Sequence, residues 1–370
     1  MKKNNFVLTI TFISFLSLSS LTSFAQGDAA ALIKSGSADA TKLVQAYLKP
    51  VFKGFGHGLN SGWNNTANAK SFLRFDVRLG VTGAIIPESD QSFDVAKLGL
   101  SNNIGITPGQ QGTFAPTAVG KQIDGPVLTV YSKDKNEPDA QEIESFTLPK
   151  GANIPLIPAP ELQATVGLPR GIDVSLRFAP KINVGEDLGS VSMFGAGAKM
   201  EILRFLAGKD ADKVFPVDVA IAAGFTQFNY KIPLDVPAPA PNEAVPENAQ
   251  QPTDFSNQLI DAKLSGVNVE AIVSKKFLFF TPFLSVGYQT SQTSIGLKGN
   301  YPIINGYNPV TLQNTYTVLT NPINLTQNDV NGMRANLGFQ VNLLFLRLYA
   351  SYTMSEYNSF NAGIGFGMGK

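Results

Sequence analysis

The sequence has 370 residues and a formal net charge of +1, from 29 basic and 28 acidic residues. This balance gives no basic footprint of a nucleic-acid-binding protein. Charged residues make up 15% of the chain, below the roughly 25% usual in soluble domains. The absence of cysteine excludes disulfides, thiolate metal sites and thiol nucleophiles.

The first 25 residues have the features of an export signal. Lys2 and Lys3 precede an apolar run over residues 6–18, and the stretch ends in Ser23-Phe24-Ala25. A basic start, a short apolar run and a small-x-small ending predict a secretory signal peptide cleaved after Ala25. The alternative, an N-terminal membrane anchor, is disfavoured because the run is short. No later stretch offers the roughly eighteen consecutive apolar residues of a transmembrane helix.

Residues 26–69 are expected to form a compact segment ahead of the first strand. Residues 28–48 are rich in helix formers, and Pro50 is expected to end this helix. The following stretch, VFKGFGHGLNSGW, combines glycine with aromatic side chains. That composition predicts backbone packed closely against another part of the chain.

Alternation of apolar and polar residues then dominates the sequence. Over residues 73–85 one face of the predicted strand is apolar and the other carries charge. The pattern recurs at 162–168, 172–178, 194–202, 217–225, 267–273, 280–290, 333–343, 346–354 and 361–369. Residues 70–370 are therefore predicted to be all-β, with about ten antiparallel strands and about 12 to 14 as the alternative count.

Long and short connections mostly alternate between these strands. The long loops cover about 87–160, 231–257 and 299–331, and PVLTVY and ESFTL in the first loop are expected to pair as a hairpin. In outer-membrane barrels the long loops lie outside and the short turns face the periplasm.

Two architectures fit the alternation. In a soluble sandwich or barrel the apolar face is the core, whereas in an outer-membrane barrel it meets lipid and the polar face lines the interior. The export signal, the even strand number, the strand lengths and the C-terminal final strand favour a transmembrane antiparallel β-barrel. Aromatic residues near strand ends are expected to form its interfacial girdles: Phe228, Tyr230, Phe279, Phe280, Tyr288, Tyr352 and Tyr357.

The polar face predicts the residues that line the lumen. The charged candidates are Arg74, Asp76, Arg78, Asp173, Arg177, Lys199, Glu201, Asp218, Glu270, Arg334 and Arg347. Their mixed signs predict ion pairs that hold a plug to the wall, with a weakly selective ligand path as the alternative.

A ten-strand interior is narrow, and glycine at 363, 365, 367 and 369 is expected to leave room for a filler. We expect the N-terminal segment to fill the lumen from the periplasmic mouth. The candidate plug residues are Tyr47, Phe52, Phe55, His57 and Trp63.

Residues 40–63, followed directly by an amphipathic strand, resemble the start of an uncharacterised family of Gram-negative outer-membrane β-barrel proteins. A looser similarity is to FadL-type transporters of hydrophobic compounds, which also place an N-terminal segment inside a barrel, although this chain has fewer strands. The resemblance implies location in the outer membrane, contact with its lipid and a small hydrophobic ligand.

The sequence predicts no catalytic, metal or cofactor site and no nucleic-acid partner. His57 is the single histidine, and packing or hydrogen bonding is its expected role. The predicted function is narrow or gated transport of small molecules, hydrophobic ones included. The alternative is a surface interaction or structural protein that acts through its long outer loops. Protein partners cannot be read from the sequence.

Overall fold

The computed structural model describes residues 37–110, 112–185, 189–208, 216–308, 310–311 and 313–367. The predicted signal peptide lies outside the described residues, as do residues 26–36 of the predicted N-terminal segment.

The chain begins with one long helix and continues almost entirely as strands. The helices are α1 (Ser37–Asn60) and α2 (Ile202–Ala207), with short 3-10 turns at Glu88–Asp90, Val95–Lys97 and Pro169–Gly171. The strands are β1 (Phe75–Ile85), β2 (Ser92–Asp94), β3 (Ile104–Ile106), β4 (Phe114–Pro116), β5 (Val127–Tyr131), β6 (Glu142–Thr147), β7 (Leu156–Leu168), β8 (Ile172–Gly185), β9 (Gly189–Glu201), β10 (Asp218–Pro233), β11 (Ala244–Pro246), β12 (Leu259–Ser274), β13 (Phe280–Lys298), β14 (Asn300–Asn308), β15 (Gln313–Thr320), β16 (Asn324–Leu343), β17 (Leu346–Met354) and β18 (Ser359–Gly367).

Ten of these strands close into an antiparallel barrel, in the order β1-β18-β17-β16-β13-β12-β10-β9-β8-β7 and back to β1. The predicted all-β barrel with an N-terminal helix is confirmed. β7 begins at Leu156, six residues before the predicted start, because the strand accommodates Pro158 and Pro160. Both prolines lie on the edge of β7 that faces away from β1.

The barrel has polar side chains inside and apolar side chains outside, the reverse of a soluble protein. In β16, Leu337 points outward and is 59% exposed, whereas its neighbour Asn336 is 3% exposed inside. The same alternation buries charged side chains in the lumen and exposes leucine, valine and phenylalanine around the outside. An apolar exterior with a polar interior is the arrangement that lipid requires of a membrane barrel. Among the described residues, no helix is both long and apolar enough to cross a membrane.

The two ends of the barrel differ. At one end, here called the loop end, lie the long connections 86–155, 234–258 and 299–323 and the short turn 355–358. The other end, the turn end, carries the short turns 169–171, 275–279 and 344–345, α2 and the start of β1. The long connections carry small sheets of their own, β3-β5-β6, β2-β4 and β11-β15-β14. The expected hairpin in the first loop is present as β5 and β6.

Three of the expected girdle aromatics face inward instead. Phe228 stacks on Phe55 of α1 at 5.7 Å between ring centroids, Tyr230 packs against the interior core, and Tyr357 is almost fully buried. These rings pack inside because the interior at the loop end is lined with apolar side chains. Phe279, Phe280, Tyr288 and Tyr352 are exposed on the outside, as girdle residues must be.

The expectation that Pro50 ends the first helix is wrong. Helix α1 continues through Pro50 and through the glycine-rich stretch to Asn60. An internal proline costs roughly 3 kcal/mol, and the enclosure of Phe52, Phe55 and Leu59 by the barrel offsets that cost. Tertiary burial therefore overrides the local signal.

Glycine in α1 lets the helix lie directly on the wall. A Cβ atom at Gly54 would be 2.9 Å from Ile157 Cγ1, and one at Gly58 would be 2.5 Å from Ala159 Cβ. Ile157 and Ala159 are inward-facing residues of β7. The spacing of four residues puts both glycines on one helix face, so this face is fitted to β7.

We expect Gly58→Ala to destabilise the protein, because the added methyl group meets Ala159 and overpacking costs roughly 1–3 kcal/mol. The matched variant Gly58→Ala with Ala159→Gly removes the opposing methyl group and is expected to recover most of the loss. Thermal unfolding in detergent measures both. Equal melting temperatures for the single and double variants would contradict the assigned contact.

Candidate functional site

Helix α1 enters the barrel from the loop end. Its first half is bound by the 86–155 connection, where Ser101 N donates to Asp39 Oδ1 at 3.0 Å and Ala118 N donates to the Tyr47 carbonyl at 3.0 Å. The helix therefore does not enter at the turn end, beside the start of β1, where the N-terminal segment was expected. The helix occupies the loop-end half, because its apolar side chains match the interior there. Residues 61–74 carry the chain on to the turn end.

The loop-end half of the lumen is filled with apolar side chains. From α1 come Leu43, Val44, Phe52, Phe55 and Leu59, and from the wall Ile157, Val191, Met193, Phe228 and Leu264. This layer is an ordinary hydrophobic core inside a membrane barrel. It leaves an open aqueous pore no room in this half.

Arginines from three different strands meet the C-terminal end of α1. Arg177 donates to the carbonyls of Leu59 at 2.9 Å and Ser61 at 2.8 Å, Arg78 to the carbonyl of Trp63 at 2.7 Å, and Arg334 to the carbonyl of Asn60. The last carbonyls of a helix have no partner within it and carry partial negative charge. The wall therefore supplies both the donors and the positive charge that the helix end needs.

Arg177 is the centre of this cluster. The residue is 1% exposed, pairs with Glu161 at 2.7 Å and donates to Gln163 Oε1 at 3.0 Å. Its guanidinium lies 4.0 Å from the ring centroid of Trp63. Burial of a charge is costly unless it is paired and hydrogen-bonded, and here both conditions are met.

Between this cluster and β1, the wall also binds the extended chain. Lys199 donates to the carbonyls of Thr66 at 3.0 Å and Asn68 at 2.9 Å, and Ala69 N donates to Glu201 at 2.7 Å. Lys70 N donates to Asp173 at 2.9 Å. Irregular backbone at membrane depth is tolerated only where protein satisfies it, so these contacts hold the segment.

Lys70 and Arg347 share one carboxylate at the turn end. Asp76 contacts Lys70 Nζ at 3.1 Å and Arg347 Nη1 at 2.6 Å. Burial, with Arg347 and Lys199 nearby, lowers the pKa of Lys70 to about 8, against the opposing effects of Asp76 and Asp173. Two cations thus share the single carboxylate of Asp76.

The predicted lumen residues can now be placed. Asp76, Arg78, Asp173, Arg177, Lys199, Glu201, Glu270, Arg334 and Arg347 are buried inside the barrel, whereas Arg74 and Asp218 are half-exposed at the turn end. The candidate plug residues Tyr47, Phe52, Phe55, His57 and Trp63 are all buried. Tyr47 lies against the 86–155 connection, where its hydroxyl donates to the Lys150 carbonyl at 3.0 Å. Sequence reasoning missed Glu161 and Gln163. The predicted strand began at residue 162, so an earlier start would have put Glu161 on the polar face. Gln163 already lay on that face, but only charged residues were chosen as candidates.

Gly363, Gly365 and Gly367 have a different role from the one expected, and Gly369 lies outside the described residues. A Cβ at Gly363 would meet Tyr349, and one at Gly365 would meet Arg78, so these glycines make room for wall side chains. Space for the plug comes from Gly197 and Gly224, where a Cβ would lie 2.7 Å and 2.6 Å from the Trp63 ring.

His57 sits in a hydrogen-bonded and stacked position near the loop end. Gln289 Nε2 lies 2.9 Å and Ser355 Oγ 3.2 Å from His57 Nδ1, and the ring stacks on Tyr357 at 5.3 Å between centroids. Tyr357 donates to Asp90 at 2.6 Å, and burial with this bond raises the pKa of Tyr357. Lys53 forms an ion pair with Glu356 in the same turn. This arrangement ties α1 to the 355–358 turn.

The wall is incompletely paired between β7 and β8. Their pairing covers only residues 163–168 and 172–177, at the turn end. Towards the loop end, residues 156–162 of β7 and 178–185 of β8 have no pairing with one another. We call this gap the seam.

The two prolines of β7 explain why β7 and β8 do not pair along the seam. Pairing of β7 with β1 is continuous through Pro158 and Pro160, so their nitrogen atoms point away from β1, towards β8. Proline has no N–H to donate and is confined to strand edges. The seam edge of β7 therefore lacks two of the donors that a ladder would need, and β8 has an irregularity of its own between Ala179 and Ile182.

The chain belongs to a family of unknown function, DUF6588, whose profile matches residues 1–368. This confirms the resemblance to an uncharacterised family. No curated protein sequence matches the chain.

Similar solved structures are other β-barrels. The attachment invasion locus protein Ail of Yersinia pestis is 7% identical, with a TM-score of 0.24 over 80% of this chain and 100% of that one. The outer membrane protease OmpT of Escherichia coli is 9% identical, with a TM-score of 0.28 over 82% and 100%. The toluene transporter TodX of Pseudomonas putida is 8% identical, with a TM-score of 0.26 over 86% and 75%. Values this low carry no activity over to this chain.

We expect Arg177→Met to destabilise the protein by roughly 3–5 kcal/mol, because it leaves Glu161 buried and unpaired. Replacing both partners, Arg177→Met with Glu161→Gln, is expected to recover part of the loss. Denaturant unfolding in lipid vesicles measures the difference, with exposed Arg170→Met as the control. If Arg177→Met and Arg170→Met unfold at the same denaturant concentration, the cluster does not anchor the plug.

Proposed function

We propose that this outer-membrane β-barrel is a gated transporter of small hydrophobic molecules, with the seam as its lateral opening and α1 as the gate. The observation that carries the proposal is the seam itself. A barrel whose strands pair along their full length gives a membrane-dissolved molecule no way through the wall. Here the pairing stops halfway.

The interior behind the seam suits an apolar ligand. The seam lies in the loop-end half, where the lumen is lined by apolar side chains. A hydrophobic molecule that has partitioned into the outer leaflet would pass from lipid to this layer without meeting the charged cluster. Such a path costs little desolvation.

Helix α1 is placed to control that path. Gly54 and Gly58 lie against Ile157 and Ala159, two inward-facing residues of β7 beside the seam. These contacts involve no charge and no hydrogen-bonding side chain, unlike the arginine contacts at the end of α1. A tilt of the helix away from β7, about its anchored C-terminal end, would open the seam to the lumen.

The alternative function is surface interaction through the long loops. The 86–155 connection contains two small sheets and contacts the first half of α1. A binding protein would use these loops and leave the seam closed. We propose no catalytic role and no cofactor; in the described residues no cluster of three or more histidine, aspartate or glutamate side chains could hold a metal ion.

Cross-linking the seam tests the transport proposal. The chain has no cysteine, so Pro160→Cys with Pro180→Cys gives a unique pair, opposite each other when the register of the paired half is extended. Because both substitutions add an N–H to the seam, the variant without cross-linker is the reference for uptake. A cleavable thiol cross-linker is expected to abolish uptake of a hydrophobic dye into vesicles, and reduction is expected to restore it.

The control pair is Val166→Cys with Val174→Cys, which are direct partners in the paired half. Its cross-link is expected to leave uptake unchanged. Undiminished uptake through a cross-linked seam would reject lateral transport and favour the interaction function.

We also propose export with cleavage after Ala25, and an orientation in which the loop end faces outside. Because the Ser37 end of α1 lies among the loops, an epitope inserted after Gly27 is expected to be labelled on intact cells. A C-terminal epitope is expected to be labelled only after permeabilisation. Mass spectrometry of the mature N-terminus and membrane fractionation complete the test; the reverse labelling pattern would overturn the orientation.

A further inference from the structure

A cavity of about 240 Å³ opens at the turn end, between the extended segment before β1 and the ends of β13, β16 and β17. It is separate from the seam and from the apolar layer, which both lie in the loop-end half. Its position is that of the periplasmic boundary of the membrane in the proposed orientation.

The lining of this cavity is positively charged. Lys70, Arg74, Lys276 and Arg347 line it, and among the described lining residues there is no aspartate or glutamate. Asp76, just behind the lining, is shared by Lys70 and Arg347. Among the described residues neither Arg74 nor Lys276 has an ion-pair partner. Asp173, the other carboxylate near Lys70, is paired with Lys199 at 3.1 Å. In the described part of the chain, the four lining cations therefore exceed the one carboxylate, Asp76, that two of them share.

The rim of the cavity is apolar. Leu278, Phe279 and Leu344 line it from the two short turns at this end, and Leu278 and Leu344 are 88% and 89% exposed. Exposed leucines at a turn tip are unfavourable in water but favourable against acyl chains. The turns therefore place a lipid-compatible rim next to a cationic cavity.

A ligand that fits both features has an anionic head and an apolar tail. Lysine and arginine are the usual partners of phosphate, and two or more of them bind it with charge-assisted hydrogen bonds. Gln340 and Asn342 also line the cavity and offer neutral donors and acceptors for headgroup hydroxyls.

We propose that this cavity binds the phosphate headgroup of an anionic phospholipid from the periplasmic leaflet, with the acyl chains passing over the leucine rim. The site is independent of the proposed transport function. It adds a lipid-specific contact at the end of the barrel where the plug segment joins β1.

The test uses the full mature protein in a neutral detergent. Isothermal titration compares short-chain phosphatidylglycerol, short-chain phosphatidylcholine and glycerol phosphate. The variant Arg74→Gln with Lys276→Gln removes the two cations that hold no ion pair, and so leaves the plug contacts intact. Lys181→Gln with Lys263→Gln removes two exposed cations near the loop end as a charge-matched control.

We expect phosphatidylglycerol to bind more tightly than the other two probes. We expect the Arg74/Lys276 variant to lose about tenfold or more in affinity, since charge-assisted hydrogen bonds are lost, and the control variant to keep wild-type affinity. Leu344→Ser is expected to weaken the phospholipid and leave glycerol phosphate unchanged.

Three outcomes would overturn the proposal. Equal affinity for phosphatidylglycerol and phosphatidylcholine would show that the site does not distinguish an anionic headgroup from a zwitterionic one. Equal affinity for glycerol phosphate and phosphatidylglycerol would show a site for soluble anions instead of lipid. Equal losses of affinity in the Arg74/Lys276 and Lys181/Lys263 variants would show that binding depends on the net charge of the protein and not on the cations of this cavity.

Discussion

The position of the plug inside the barrel depends on one contact. Wall arginines donate to the carbonyls at the end of α1 that have no partner within the helix. A narrow barrel with charged residues inside must either hold water or bind protein. Arg78, Arg177 and Arg334 bind protein, and they do so through backbone carbonyls. Because every residue has a backbone carbonyl, these contacts do not depend on which side chains the plug carries. The position of the helix end is therefore set by where its carbonyls meet the arginines. The glutamate and glutamine beside Arg177 complete its partners.

This anchoring divides the lumen into two layers with different properties. Towards the turn end, the extended chain is held by side chains that bond its amides and carbonyls, and moving it would leave several buried polar groups without partners. Towards the loop end, α1 rests on the wall through apolar and glycine contacts, which can slide at lower cost. The seam opens into the second layer. The proposed gating motion would therefore take place in the half of the barrel where the contact between α1 and β7 is apolar.

The same division explains the asymmetry of the two ends. The loop end binds the first half of α1 through the 86–155 connection, and Lys53 and His57 tie the second half to the 355–358 turn. The turn end has short connections, a surplus of positive charge and exposed leucines. Each end thus suits a different environment, the cell surface and the periplasmic leaflet, in the orientation proposed.

The sequence alone determined the strands and their faces, because a period of two is a local property that every strand must obey to keep charge away from lipid. Leu337 and Asn336 could be assigned to opposite faces from the sequence, and so could Arg78 and Arg177 to the lumen. Where helix α1 ends could not be read in this way. Pro50 is a strong local stop signal, and only the enclosure of residues 51–60 by the barrel outweighs it. The orientation of Phe228 and Tyr357, the partners of the arginines and the gap between β7 and β8 likewise depend on which elements meet across long sequence separations. Prolines in β7 hint at an unpaired edge, but only the closed barrel decides which neighbour is missing, because strand order is a property of the tertiary structure.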